Sequence, residues 1–146
     1  MKQMNQAELN RRQEEIAEEF SMFDEWMDKY EHIIELGKEL PELPISEAQD
    51  DQLIKGCQSR VWLDARLSET GAVRFRANSD AIITKGLVAL MVRVLDDLDP
   101  STVVNADLWF LDRIGLKDHL SPTRANGLLA MVKQMKIYGL AFQASA

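Results

Sequence analysis

The sequence is poor in cysteine and histidine, and this scarcity excludes several kinds of site. Its 146 residues contain one cysteine, Cys57, and two histidines, His32 and His119. A single thiol cannot form an intramolecular disulfide. These three side chains are also fewer than the four clustered ligands of a structural zinc centre, and they are not spaced along the chain as zinc ligands are. We therefore expect neither a disulfide framework nor a bound metal.

The sequence also lacks long apolar runs. No stretch of eighteen consecutive apolar residues is present, so no segment is predicted to span a membrane. The N-terminal residues lack the apolar core of a secretory signal peptide. We therefore expect a cytoplasmic protein in a reducing compartment, with no membrane partner.

Positive charge is scarce in the first part of the chain. Residues 1–56 contain six Lys and Arg against fifteen Asp and Glu, a net charge of −9, whereas residues 57–146 have eleven against nine. The net charge of −7 disfavours nucleic acid as a partner, because an acidic protein repels phosphate backbones. The acidic part is either a solvated helix surface or one of two docking surfaces for different partners.

Apolar spacing predicts a helix over residues 6–38. Six apolar side chains recur at steps of three and four, which places them on one helix face. They are Ile16, Phe20, Phe23, Met27, Tyr30 and Ile34. A helix of this length is unusual, so we allow for a break near Ser21–Asp24. Pro41 and Pro44 then predict a loop over 41–52.

A change of period indicates strands after this loop. Apolar and polar residues alternate over 60–67 and again over 73–77, and Ser68–Gly71 between them is typical of a hairpin turn. This register gives the sheet one apolar face and one face with four arginines and Trp62. Leu53 and Ile54 could add a short third strand.

Helix start signals follow the hairpin. They are Ser79-Asp80 as a cap, and Asp99-Pro100 and Ser121-Pro122 as a cap followed by proline at the first helical position. Strands and helices are thus segregated along the chain. We predict a single α+β domain over residues 1–146, in which a small antiparallel sheet of about three strands is covered on one face by helices.

Cys57 is the only side chain of the sequence that is intrinsically a good nucleophile. Gly56 precedes it, and Lys55 and Arg60 would favour its thiolate if they lie nearby. Without a second cysteine it cannot run a dithiol cycle, and nothing places His119 beside it as a protease base. A lone thiolate can accept a sulfane sulfur by thiol exchange. The alternative is a buried, inert cysteine.

Four segments of the sequence, in order, resemble those of the SufE family of sulfur-acceptor proteins. They are Tyr30–Gly37 followed by Leu40-Pro41, Ile54-Lys-Gly-Cys-Gln-Ser-Arg-Val-Trp62, Asn78–Leu87 with its Asp-Ala and Lys-Gly-Leu, and His119–Leu128 with its Leu-Ser-Pro-Thr-Arg and Gly-Leu. The resemblance covers about residues 20–140 and is weakest over residues 1–20. The same motifs are found in SufE itself and in its paralogue CsdE.

The resemblance implies a function for Cys57. A SufS- or CsdA-like cysteine desulfurase removes sulfur from free cysteine and holds it as a persulfide, and Cys57 would accept that sulfur. The chain would then pass it to an iron–sulfur cluster assembly scaffold such as the SufBCD complex. The cofactor, pyridoxal phosphate, belongs to the desulfurase, so the resemblance implies no cofactor here. It also implies an α+β fold similar to that of the IscU-type scaffold.

Asp80 and Arg124 coincide with fixed-looking positions of the resembling segments. Arg124 falls in the first turn of the last helix, where the guanidinium and the helix amides could stabilise a thiolate or persulfide at Cys57. Asp80 could cap its helix, pair with Arg124 or hold the Cys57 loop shut. Structural ion pairing for Arg124 and simple capping for Asp80 are the alternatives.

Two other functions are compatible with the sequence. The chain could be a non-catalytic adaptor with a buried, silent Cys57, or a CsdE-like sulfur donor to another acceptor such as a tRNA-modification pathway. We expect an accessory protein with a covalent persulfide intermediate and not a stand-alone enzyme. We also expect a monomer or a weak homodimer.

Overall fold

The computed structural model describes residues 2–40, 53–54 and 60–145. The loop predicted over 41–52 and the cysteine at position 57 lie outside the described residues. The elements are α1 (Lys2–Ser21), α2 (Trp26–Lys38), β1 (Val61–Leu67), β2 (Val73–Ser79), α3 (Ile82–Leu95), α4 (Pro100–Val104), α5 (Phe110–Arg113), α6 (Leu116–His119) and α7 (Pro122–Ser145).

The helix predicted over residues 6–38 is divided into two helices. The chain leaves the helical conformation after Ser21 and resumes it at Trp26, which confirms the break allowed for near Ser21–Asp24. The break changes which residues face the core. Ile16 and Phe20 of the predicted stripe are buried, but Met27 is 67% exposed. The prediction was therefore wrong at Met27, because the turn between the helices resets the angular phase on which the stripe depended.

The hairpin forms as the alternation predicted. β1 and β2 pair antiparallel, from Val61 opposite Ser79 at one end to Leu67 opposite Val73 at the other. Gly71 in the turn has φ +85°, a backbone conformation that glycine adopts without the steric cost of a side chain. Except for Trp62, the apolar residues of both strands share one face of the sheet, and that face is buried or half-buried apart from Leu67 at the turn end, which is 40% exposed.

The predicted third strand is reduced to one bridge. Leu53 pairs antiparallel with Trp62, and the described part of the chain has a sheet of two strands. Trp62 lies on the arginine-bearing face, yet it is only 7% exposed. That face is therefore not uniformly solvated, and the end near Trp62 belongs to the protein interior.

Two of the three predicted helix starts are confirmed. Asp99 caps α4 by accepting a hydrogen bond from the Thr102 amide, with Pro100 at the start of the helix. Ser121 accepts a hydrogen bond from the Arg124 amide in the first turn of α7, at 3.2 Å. In both cases a short polar side chain satisfies an amide that has no partner within the helix.

The predicted cap of α3 was wrong. The capping position is Ala81, and the structure shows no side-chain capping bond at this described helix start. Ser79 instead accepts a hydrogen bond from the Ala81 amide through its hydroxyl, at 3.3 Å. The Asp80 carboxylate is engaged elsewhere, on the backbone of Arg60.

Helix α3 is the centre of the core. It packs against α2, β2 and α7, while α7 also contacts β1 and α4. Helices α2 and α3 approach closely at Gly37 and Gly86, where a Cβ atom on Gly37 would stand 2.8 Å from the amide nitrogen of Gly86. The fold is thus α+β, with a small antiparallel sheet packed against helices, as predicted. Among the described residues, no helix has the length and apolar character needed to cross a membrane.

Candidate functional site

The residues on either side of segment 55–59 are held together. The Ile54 amide donates a hydrogen bond to the Val61 carbonyl at 2.9 Å, next to the bridge between Leu53 and Trp62. The described residues that flank this segment, Ile54 before it and Val61 after it, are therefore joined directly by a backbone hydrogen bond. Both flanking residues are buried in the packed body of the domain.

Arg60, the residue that follows segment 55–59, is held by the end of β2. Its amide donates to Asp80 Oδ1 at 3.0 Å, and its carbonyl accepts from the Ser79 hydroxyl at 2.9 Å and from the Asp80 amide at 3.3 Å. Of the three roles considered for Asp80, capping is not observed at the described start of α3. The contact that its carboxylate makes is with Arg60, the described residue that follows segment 55–59.

A cleft of about 370 Å³ opens between β1, α3 and the N-terminal half of α7. Its floor is apolar, and its rim has hydroxyl groups and one guanidinium. The lining residues are Val61, Thr84, Leu87, Val88, Ser121, Thr123, Arg124, Gly127, Leu128 and Met131. The cleft thus brings the start of α7 to the start of β1, close in the chain to segment 55–59.

The Arg124 side chain is exposed and is held from α2. Its Nη1 donates a hydrogen bond to the Tyr30 hydroxyl at 2.7 Å, across 94 residues of sequence. In the described part of the chain no carboxylate pairs with Arg124, so the Asp80–Arg124 ion pair considered from the sequence does not form there. The guanidinium charge on the cleft rim is therefore left unneutralised by those residues.

An aromatic cluster supports Tyr30. The ring centroids of Trp26 and Tyr30 are 5.6 Å apart, and Trp26 stacks on His119 at 4.2 Å with planes 15° apart. Lys29 Nζ lies 6.0 Å from the Trp26 ring. His119, the histidine weighed as a protease base, is thus committed to a stack on α2.

Sequence reasoning missed this cluster as part of the site. It assigned Tyr30 to a core stripe, and it had no way to pair it with Arg124. The available signal was that Tyr30 and Arg124 lie in two of the four segments that resemble one family. A resemblance to one family indicates that the residues of these segments have a role, but it does not show which segments contact each other in the fold.

The described site has groups suited to an anion. Hydroxyls and a guanidinium stand over an apolar floor, and their hydrogen bonds and positive charge favour an anionic group over a neutral one. Within the described ranges, no three His, Cys, Asp or Glu side chains lie close enough together to hold a metal ion. Arg124 is the one charged side chain among the described residues that line the cleft, so the arrangement stabilises a negative charge.

Comparison with known proteins gives two findings. Residues 14–138 match the family described as "SufE: Fe-S metabolism associated domain". The fold is similar to the solution structure of a hypothetical protein from Thermus thermophilus, with a TM-score of 0.74 and 19% sequence identity over 91% of this chain and 96% of that chain. At this identity the second likeness establishes the fold alone.

Proposed function

The chain belongs to the SufE family of domains associated with Fe–S metabolism, and from this membership we propose that it is a sulfur acceptor and activator for a cysteine desulfurase. Cys57 is the proposed acceptor. The desulfurase supplies the pyridoxal phosphate that releases sulfur from free cysteine, and we propose no cofactor for this chain. The recipient is an iron–sulfur cluster assembly scaffold.

The proposed transfer is a thiol exchange. The Cys57 thiolate attacks the outer sulfur of the desulfurase persulfide, the S–S bond of that persulfide breaks, and its cysteine leaves as a thiolate. A new persulfide stands on Cys57. A thiol of the recipient then attacks its outer sulfur, which regenerates the Cys57 thiolate. Neither step needs an oxidant or a reductant, and both need thiols that are free at the start, as they are in a compartment such as the cytoplasm.

The observation that carries the proposal is the way in which the family segments meet. Asp80 of the third segment binds Arg60 of the second, and Arg124 of the fourth binds Tyr30 of the first. The four segments are thus linked in two pairs, and one cleft is lined by both Arg124 and Val61, the residue after Arg60. A role of all four segments in the chemistry of Cys57 would explain why these four segments are the ones that resemble the family.

The test is the mass of the intact protein after incubation with a cysteine desulfurase, pyridoxal phosphate and free cysteine without reductant. We expect a gain of one sulfur atom that reductant removes. Cys57→Ser is the matched control, since it replaces the sulfur of the only cysteine of the chain with oxygen. It should bind the desulfurase and gain no sulfur.

The same experiment tests the adaptor alternative. An active, bound desulfurase that adds no sulfur to the protein would contradict sulfur acceptance and favour an adaptor with a silent Cys57. A second incubation, of the persulfidated protein with a candidate scaffold or with a thiol acceptor of a tRNA-modification pathway, identifies the recipient by loss of the added mass.

A further inference from the structure

Tyr30 is bound to the guanidinium on the rim of the cleft. We propose that Tyr30 is a positioning residue for Arg124: its hydroxyl fixes the guanidinium where it stabilises the anionic sulfur on which the transfer depends. This inference rests on the proposed function of Cys57 and assigns a role to a residue of α2, a helix that does not line the described cleft.

The hydrogen bond sets the direction of an otherwise free side chain. Arg124 is exposed, and an exposed arginine has many rotamers, so its charge has no fixed place without a partner. Among the described residues that partner is the Tyr30 hydroxyl, at 2.7 Å from Nη1. A tyrosine acceptor orients the guanidinium without neutralising it, which a carboxylate would do. The full positive charge therefore stays available to an anion.

Tyr30 is itself held rigidly enough to serve this purpose. Its ring packs beside Trp26, and Trp26 stacks on His119 in α6. Ser121, two residues after His119, binds the Arg124 amide. Contacts of α2 thus fix both the tyrosine and the chain that leads into α7. Arg124 is held at its backbone by its own helix and at its guanidinium by another.

The test uses Tyr30→Phe, which removes the hydroxyl and keeps the ring against Trp26. Cys57 is the only cysteine of the chain, so alkylation by iodoacetamide reports its thiolate directly. We expect Tyr30→Phe to slow alkylation at neutral pH about three- to tenfold and to raise the midpoint of its pH profile, because the thiolate loses a positioned positive charge.

Two comparisons separate positioning from mere packing. Tyr138→Phe is the matched control, because Tyr138 is the other tyrosine and its hydroxyl bonds to the Leu63 carbonyl, away from Arg124. It should shift the profile much less than Tyr30→Phe does. In an Arg124→Gln background, Tyr30→Phe should have no further effect, since its action passes through Arg124.

Three results would overturn the inference: an unchanged profile in Tyr30→Phe, an equal change in Tyr138→Phe, or an undiminished effect of Tyr30→Phe when Arg124 is already replaced. Failure of the proposed function is a different result. In that case the wild-type protein gains no sulfur from an active desulfurase, while the alkylation profiles still decide whether Tyr30 positions Arg124.

Discussion

Gly86 of α3 lies so close to Ile33 of α2 that a Cβ atom on the glycine would stand 2.2 Å from the Ile33 carbonyl oxygen. No rotamer change relieves such a contact, because a Cβ atom and a carbonyl oxygen are both fixed by the backbone. The two helices can cross at this distance only if the residue in α3 has no side chain. Both residues belong to segments that resemble those of the SufE family, and their close contact gives these segments a structural role.

Replacing Gly86 with alanine should therefore destabilise the domain. We expect Gly86→Ala to lower the free energy of unfolding by about 3 kcal/mol, since the helices must move apart. Gly71→Ala is the control: Gly71 has φ +85° but nothing within 4 Å of the added Cβ, so about 1 kcal/mol is expected. Urea unfolding of both variants measures the difference, and equal losses would contradict the close crossing.

Removing the Asp80 carboxylate should release Arg60. Asp80→Ala eliminates the acceptor of the Arg60 amide, so hydrogen exchange of that amide should rise about tenfold, the equivalent of about 1.4 kcal/mol. We also expect faster alkylation of Cys57, because one attachment of its segment is lost. Asp64→Ala, which removes a carboxylate paired with Arg76 on the same hairpin, is the control. An unchanged hydrogen-exchange rate of the Arg60 amide would show that Asp80 does not hold Arg60 in place.

Removing the Arg124 charge should slow sulfur acceptance without unfolding the protein. We expect Arg124→Gln to reduce the rate of sulfur gain about tenfold, because the guanidinium no longer stabilises the attacking thiolate. Arg124 is exposed, so the thermal midpoint should change little. Arg66→Gln, at an exposed arginine of β1, controls for net charge. A large fall in the thermal unfolding midpoint of Arg124→Gln would instead indicate that Arg124 stabilises the fold through an ion pair or a hydrogen bond.

Stability should depend on pH through Glu19, which joins α1 to α3 and α2. Burial by itself raises the pKa of Glu19, but hydrogen bonds from Arg93 and His32 outweigh it, so the pKa lies below its ordinary value. A lowered carboxyl pKa stabilises the folded state above the ordinary pKa, and this contribution is lost as the pH falls through the folded-state value.

The measurement is the difference in unfolding free energy between wild type and Glu19→Gln. At neutral pH we expect about 1–2 kcal/mol in favour of the wild type, since a charge-assisted bond is lost in the variant. The difference should shrink as the pH is lowered below about 4, where the unfolded-state carboxyl becomes protonated. Glu14→Gln, at an exposed position of α1, should show no such difference. A difference in unfolding free energy that stays the same at all pH values would contradict a stabilising role for the ionised Glu19 carboxylate.

Features that depend on neighbouring residues were predictable from the sequence. The hairpin register followed from alternation with a period of two, and the starts of α4 and α7 followed from Asp99-Pro100 and Ser121-Pro122. In each case the backbone conformation is set by side chains within a few residues. The single thiol at position 57, and the family resemblance around it, also needed only the order of residues.

The tertiary structure alone decided which distant residues meet. The sequence placed Tyr30 in the core stripe, which it joins as a half-buried side chain, but did not pair its hydroxyl with Arg124. For Asp80 the sequence left three roles open, and the fold places its carboxylate on the Arg60 amide. These contacts span 94 and 20 residues and depend on how whole helices and the hairpin dock. Periodicity specifies which face of an element is apolar, but the angle and distance at which two faces pack arise from the close fit of all side chains together. The cleft and its guanidinium are products of that fit.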